Sequence, residues 1–229
     1  SPLARFDLDV NAADLSNFSV FAGRELGGSV NLATEGQARL DASEAEVTLS
    51  GDIADVRIDQ EEVDRLLAGS TVIDARVERN GDRIAIPRMR VDNQQITAVG
   101  EGVIAPGNSD VNAQIALADL SQIVDAMSGP ANIVLDASET AEGWVIDLDG
   151  EGAESRVIAD VTVSDLGSED TAPLVAGTAQ VTAADLSLFS AIADRELGGS
   201  VDLSIEGQAR TDLSTANANV AGRTTELRV

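Results

Sequence analysis

The chain contains no cysteine, histidine, tyrosine or lysine. Without cysteine there is no disulfide framework and no thiol chemistry, a usage that fits an oxidising compartment without requiring one. Without His, Cys, Lys or Tyr, most of the usual general bases and nucleophiles are missing. Carboxylate pairs are plentiful, but glycosidases built on such pairs also carry aromatic sugar platforms, and aromatics are 2% of the chain: Phe6, Phe18, Phe21, Phe189 and Trp144. There is no G-x-S-x-G elbow and no phosphate-cradling loop. The sequence therefore reads as that of a non-enzyme, and it implies no cofactor. Few aromatics also argue against a compact core, which draws much of its buried area from them. No apolar run approaches the ~20 residues that span a bilayer.

What is present is acid and small aliphatics. Forty Asp and Glu oppose fifteen basic residues, all Arg, for a net charge of −25. That excludes nucleic acid as a partner and electrostatic docking on an anionic leaflet, and reads as a solvated exterior. The 229 residues are 43% apolar, mostly Ala, Val, Leu and Ile, which suits many small contacts over an extended surface. The opening "SPLARFDLDV" reads as a cut out of something longer, with any targeting or anchoring segment outside it.

Most of the chain alternates with period two, the signature of half-buried strands. In "GSVNLATEGQARL", Val30, Leu32, Ala38 and Leu40 fall on one side and Asn31, Glu35, Gln37 and Arg39 mostly on the other. "EVTLSGDI", "TVIDARVERNGDRIAIPRMRV", "QQITAVGEGVI", "DVNAQIALADL", "ANIVLDASE", "GWVIDLDGEG", "SRVIADVTVSD", "GTAQVTA", "GSVDLSIEGQARTDL" and "ANANVAGRTTELRV" continue it. Asn80-Gly81-Asp82 and Ala141 to Gly143 read as hairpin turns. Gly36, Gly51, Gly100, Gly150 and Gly207 occupy apolar-face positions, where glycine marks a bend or a close approach; a sheet that bends repeatedly curls around an interior.

Short helices are expected near 14–26, 59–68, 119–128 and 185–197. The first begins at the N-cap Asp14 and presents Leu15, Phe18, Ala22 and Leu26 on one face. The second has Asp59 as N-cap and Glu62 as its capping-box partner, with Val63, Leu66 and Leu67 apolar. The third presents Leu120, Ile123 and Met127. Stop glycines fall at Gly27, Gly69, Gly129 and Gly198, too unevenly spaced for a strict solenoid. With no long linker, residues 1–229 read as one continuous elongated sheet.

One passage is written twice. "AADLSNFSVFAGRELGGSVNLATEGQAR" at 12–39 and "AADLSLFSAIADRELGGSVDLSIEGQAR" at 183–210 agree at 21 of 28 positions, 171 residues apart. The order of pieces, from this passage through "VTLSGDIADVRI", "LSGDIADVRIDQEEVDRLLAG" and "VDRLLAGSTVIDARVERNGDRIAIPRMRVDNQQITAVGEGVI" to "SGPANIVLDASETAEGWVIDLDGEG", resembles the TamB family of the AsmA-like superfamily, the inner-membrane component of the translocation and assembly module. Each piece alone is only small residues in alternation; their order carries the resemblance, over nearly the whole chain.

The resemblance implies a mainly β fold, an elongated curled sheet of the β-taco or repeating β-groove type with a few short inserted helices. It implies a periplasmic segment of an inner-membrane-anchored protein of a Gram-negative bacterium, which conducts phospholipid between membranes and supports outer-membrane protein and autotransporter assembly. The implied partners are phospholipid acyl chains and, through regions outside this segment, an outer-membrane BamA-type, TamA-like protein. The family's signal anchor and partner-docking end have no counterpart in these residues.

The expected groove lining is Val30, Leu32, Ala38, Leu40, Val47, Leu49, Ile53, Ile73, Ala75, Val77, Ile84, Ile86, Ile96, Ala98, Val111, Ala113, Ile115, Leu117, Ile133, Leu135, Ile146, Leu148, Val161, Val163, Val201, Leu203 and Ile205. Such a trough takes acyl chains by area, at roughly 0.8 kcal/mol per CH₂ removed from water.

Each feature has a plainer counterpart. The alternating apolar positions also suit a closed sandwich core. The helix faces (Leu15, Phe18, Phe189, Leu197) read as lids over a sheet edge rather than lipid contacts, and Trp144 as packing rather than a ligand platform. Arg76, Arg79, Arg83, Arg88 and Arg90 read as partners of nearby acids across strands, with phosphate headgroups as the alternative. Asp147, Asp149 and Glu151 alternate but do not match a calcium loop, and no metal is expected. The competing function is a periplasmic scaffold or chaperone that handles β-strand clients by edge pairing.

Overall fold

A computed structural model of the chain describes residues 2–125, 127–166, 171–190 and 195–228. The alternation becomes thirteen strands: β1 (Leu3–Ala12), β2 (Gly27–Arg39), β3 (Glu44–Arg57), β4 (Ser70–Asn80), β5 (Arg83–Asp92), β6 (Ile96–Ile104), β7 (Asp110–Leu117), β8 (Ala131–Thr140), β9 (Gly143–Gly152), β10 (Ser155–Ser164), β11 (Leu174–Ala183), β12 (Gly198–Arg210) and β13 (Ala216–Arg228). Each pairs antiparallel with its neighbours in chain order, giving a single meandering sheet. The sheet is curled and elongated and does not close into a barrel; β1 and β13 are its two edges. At ~4.8 Å per strand it extends about 58 Å across its strands. The described residues form no second sheet, so the closed-sandwich alternative does not hold.

β1 (Leu3–Ala12) lies outside the strands expected from the sequence. Its signal is the same alternation, with Phe6, Leu8 and Val10 set between Arg5, Asp7, Asp9 and Asn11. The turns at Gly81 and at 141–142 fall where expected, and Gly81 takes φ of 60°.

A meander puts alternate connections at opposite ends of its strands. All four long hooks, 13–26, 58–69, 118–130 and 184–197, join strands at the same end and form one rim. Among the described residues the opposite rim carries turns and loops, such as 40–43, 81–82 and 141–142.

The helices in these hooks are shorter than their hydrophobic spacing suggests. The span 14–26 holds one 3₁₀ turn, Leu15–Phe18, and one α turn, α1 (Ser19–Ala22), ended by the left-handed Gly23. The chain must then fold straight back into the sheet, and the Leu26 amide donates to Ser19 Oγ at 3.0 Å to fix that return. The span 59–68 holds α2 (Glu61–Leu66). Its N-cap is Gln60 rather than Asp59, which takes a positive φ of 63°, and no side chain caps it. The expected capping box does not form; Asp64 Oδ1 instead accepts from the Ile58 amide at 2.7 Å. Among the described residues, the span 119–128 holds the 3₁₀ turn Leu120–Gln122, and 185–197 holds the 3₁₀ turn Leu186–Phe189 followed by helical backbone at Ser190. Ala126 and residues 191–194 of those expectations lie outside the described residues. Asp14, Asp119 and Asp185 do act as caps, each accepting from the amide two residues on.

Curling requires neighbouring backbones to approach closely on the inner side. At Gly51 and Gly177 a Cβ would lie 2.1 Å from the carbonyl oxygen of Asn31 and of Asp160, on the adjacent strand. No side chain fits there. At Gly150, by contrast, the nearest heavy atom to such a Cβ is 3.8 Å away. The sheet is also kinked at β5, where the register shifts on both sides of Pro87; proline is tolerated in a bulge because no ladder bond is asked of it. We expect Gly177→Ala to destabilise the protein by about 1–3 kcal/mol, as overpacking does, and Gly150→Ala to change stability by under about 0.5 kcal/mol. Urea unfolding of the two variants beside the parent checks this; equal effects would contradict the crease.

Candidate functional site

Directly opposed residues in an antiparallel ladder share a face, so the register assigns every strand position. Val30 stands opposite Ile53, Leu49 opposite Ala75, Ala98 opposite Ile115, Leu135 opposite Leu148, Ile146 opposite Val161, and Val181 opposite Leu203. Followed across all thirteen strands, this puts every residue of the expected lining on one face except Leu40, which lies in the β2–β3 turn and is exposed. The same face also holds residues absent from the expected set, among them Phe6, Leu8 and Val10 of β1, Met89 and Val91 of β5, Val157 and Ala159 of β10, and Ala218 and Val220 of β13.

The close approaches at Gly51 and Gly177 and the burial of most of its strand residues mark this face as the concave one. Most of its side chains from β2 to β12 are half-buried although no second layer covers them among the described residues, while Leu8 and Val10 of β1, Met89 of β5 and all of β13 are exposed; on the opposite face the alternating residues of β8 and β12 are exposed. Two recesses interrupt the trough. One of about 220 Å³ lies among Ile86, Met89, Gly100, Gly102, Val111 and Ala113; another of about 390 Å³ lies among Val161, Gly177, Ala179, Ile205, Gly207 and Ala218.

Among the described strand residues, charge enters the concave face at the turn rim. Arg79 stands in the last pairs of β4 and donates through Nε to the Gly81 carbonyl at 3.0 Å. Glu139 stands near the end of β8, opposite Trp144, and accepts from Ser109 Oγ at 2.7 Å. Trp144 is half-buried beside Val163.

The helical rim is where the small core sits. Among the described residues the buried apolar side chains are Ile53, Val56, Ala85, Leu117, Ala131 and Ala183, and all but Ala85 lie at that rim. Leu120 lies over Gly152 and Ala131 there. Asn93 Nδ2 donates to the Leu66 carbonyl at 2.7 Å and to the fully buried Thr71 at 2.8 Å, tying α2 to β4. Arg65 reaches from α2 to the Ser121 carbonyl and the Asp125 carboxylate, joining two hooks along the rim. α1 differs from this packed region: Val20 and Phe21 are 90% and 89% exposed.

The convex face carries the charge. Arg76 pairs with Glu46 and Glu78, Arg88 with Asp74, and Arg90 with Asp92. Such exposed pairs stabilise by about 0.2–1 kcal/mol each. Asp149 and Glu151 are held by Arg156, at 2.6 and 3.4 Å. Asp147 stands between Asp136 and Asp160 in one cross-strand row. Its carboxyl is held above the usual range, first by the hydrogen bond it shares with Asp160, then by desolvation and by its acidic neighbours. Among the described residues no three such side chains converge as a metal site, and no helix is long and apolar enough to cross a membrane.

A carboxyl whose folded pKa is raised contributes stability below its unfolded value and loses it as pH rises through the folded one. Replacing Asp147 by Asn removes that loss. We expect Asp147→Asn to raise the urea midpoint at neutral pH, and the gain to vanish below about pH 4. A gain that grows on acidification would contradict the shared-proton row. The hooks behave oppositely. Hydrogen bonds from Ser16, Ser121 and Ser187 hold Asp14, Asp119 and Asp185 below the usual range, so their contribution is lost as pH falls through those lowered values.

No family model, curated protein or solved structure matches this chain.

Proposed function

We propose that the concave face is a lipid-conducting trough and that the chain is a segment of a TamB-like protein. One observation supports this above the rest: the face is mostly apolar across all thirteen strands, and among the described residues its strand charges, Arg79 and Glu139, stand at the turn rim. An acyl chain lying there desolvates almost no polar group and forms no specific bond, so it is free to slide. A scarcity of aromatics leaves the trough unplugged, and the acidic convex face keeps it in solution. In this reading the cargo is phospholipid, the setting is the periplasm, and the contact with an outer-membrane TamA-like partner is made by other regions. The resemblance of the ordered pieces supports those last points.

The test is native mass spectrometry and lipid extraction of the protein purified from a bacterial periplasm. Phospholipid is expected to co-purify. Changing Leu32, Leu49 and Leu203 to Asp, all on the concave face, is expected to reduce it at least tenfold. Changing Ser50 and Ser204 to Asp, on the convex face of the same strands, is expected to leave it unchanged. A folded, lipid-free parent protein would overturn the proposal.

A further inference from the structure

The written repeat covers 12–39 and 183–210, and the pairing extends it to either side. Leu3 pairs with Arg39 and Ala12 with Val30; 171 residues on, Leu174 pairs with Arg210 and Ala183 with Val201. Ala38 pairs with Ala45 as Ala209 pairs with Ala216, and both ladders shift register at the same place, Gly27/Ser29 and Gly198/Ser200. β11, β12 and β13 are thus β1, β2 and β3 again. With one backbone written twice, a difference between equivalent side chains is a difference in the trough itself.

One such difference leaves a hole. In the first copy Phe6 stands opposite Gly36, and its ring lies over that glycine, with Cζ 2.7 Å from where a Cβ would be. In the second copy the position of Phe6 is taken by Gly177, opposite Gly207. Two neighbours shrink as well: Leu8 becomes Ala179 and Val47 becomes Ala218. Where the first copy has the ring, the second has the recess of about 390 Å³. Val161 of β10, opposite Gly177, and Ile205, in place of Thr34, are its apolar walls. The recess is centred on β11 and β12, each of which is paired on both sides. It cannot be filled from its own floor, because a Cβ on Gly177 would lie 2.1 Å from the Asp160 carbonyl oxygen.

We propose that this recess is a seat for a ring-sized hydrocarbon group, aromatic or alicyclic, of a ligand lying in the trough. The first copy gives the size and the chemistry of the occupant, since the phenyl ring of Phe6 takes the equivalent place there. An apolar cavity of about 150 Å³ stays dry and takes up benzene, and this recess is larger. Its concave-face lining, from Val161 to Ala218, carries no charged or hydrogen-bonding side chain; Thr178, Gln208 and Asn217, which also border it, belong to the convex face of their strands. A carboxylate or hydroxyl in the seat would be desolvated without a partner, so the seat selects hydrocarbon. That the ring belongs to a lipid rests on the trough conducting lipid; the seat itself does not.

The probe is benzene at millimolar concentration, added to the whole chain with its Ile, Leu and Val methyl groups labelled for NMR. Saturable shifts are expected at Val161, Val175 and Ile205, all at the recess, and none on adding benzoate, which brings the same ring with a charge. Changing Ala179 to Leu and Ala218 to Val, the residues of the first copy at those positions, is expected to abolish the shifts in a folded protein. Changing Phe6 to Ala is expected to open a second seat over Gly36, read as new saturable shifts at Leu8 and Val47; the paired Ala179 and Ala218 changes remain a test if that variant fails to fold. No saturable shift at the three methyl groups, shifts that survive the paired changes, an equal response to benzoate, or a folded Phe6→Ala protein without the second seat would overturn the proposal. So would shifts at these methyl groups that grow with protein concentration alone, which would seat a side chain of a second copy there. Benzene binding by a protein found free of phospholipid would remove the lipid trough and leave the seat standing.

Discussion

The whole structure depends on cross-strand pairing within one layer. Among the described residues no second sheet buries the apolar face, so each aliphatic side chain finds its neighbours on adjacent strands of its own face. Such contacts are individually small, roughly 0.2–1 kcal/mol per pair, and the chain compensates by number and by strict alternation. A single-residue slip would place a row of acids in the trough and a row of Val and Leu in water. The alternation fixes the register for that reason, and the glycines that let the sheet curl sit on the same face as the side chains they bring together.

Much of this was legible in the sequence. A period of two is unambiguous in "VDLSIEGQA" and "ITAVGEGVI", and following it from strand to strand yields the face the register assigns. Leu40 misled because the alternation runs past Arg39 into a turn, where period alone cannot detect the reversal. The helices misled for a related reason. Leu15, Phe18, Ala22 and Leu26 are spaced for a helix, but joining adjacent strands about 4.8 Å apart leaves the hook little room to propagate one. Asp14, Asp119 and Asp185 were readable as caps because a cap needs only a local amide two residues on. Asp59 was not, because its own backbone had turned left-handed.

The least legible feature was the equivalence of β3 and β13. Aligned at the repeat offset, they keep Ala45/Ala216, Gly51/Gly222 and Arg57/Arg228 and little else. The Gly51/Gly222 pair is set by backbone geometry. A Cβ on Gly222 would lie 2.3 Å from the Asp202 carbonyl oxygen, the same crease as at Gly51. The remaining positions need only be small or polar in turn, and many residues satisfy that, so the shape persists where the letters diverge.

Rim asymmetry and the repeat together set a unit of growth. Ten strands separate β1 from its counterpart β11, about 48 Å of sheet at the usual strand spacing. Because the step from β1 to β11 is an even number of strands, each copy begins in the same direction, and its long hook returns to the same lip of the trough. Copying the unit in a gene therefore extends the molecule by a fixed increment, with one lip always crowned and the other always bare, and no new kind of contact has to be invented at the join.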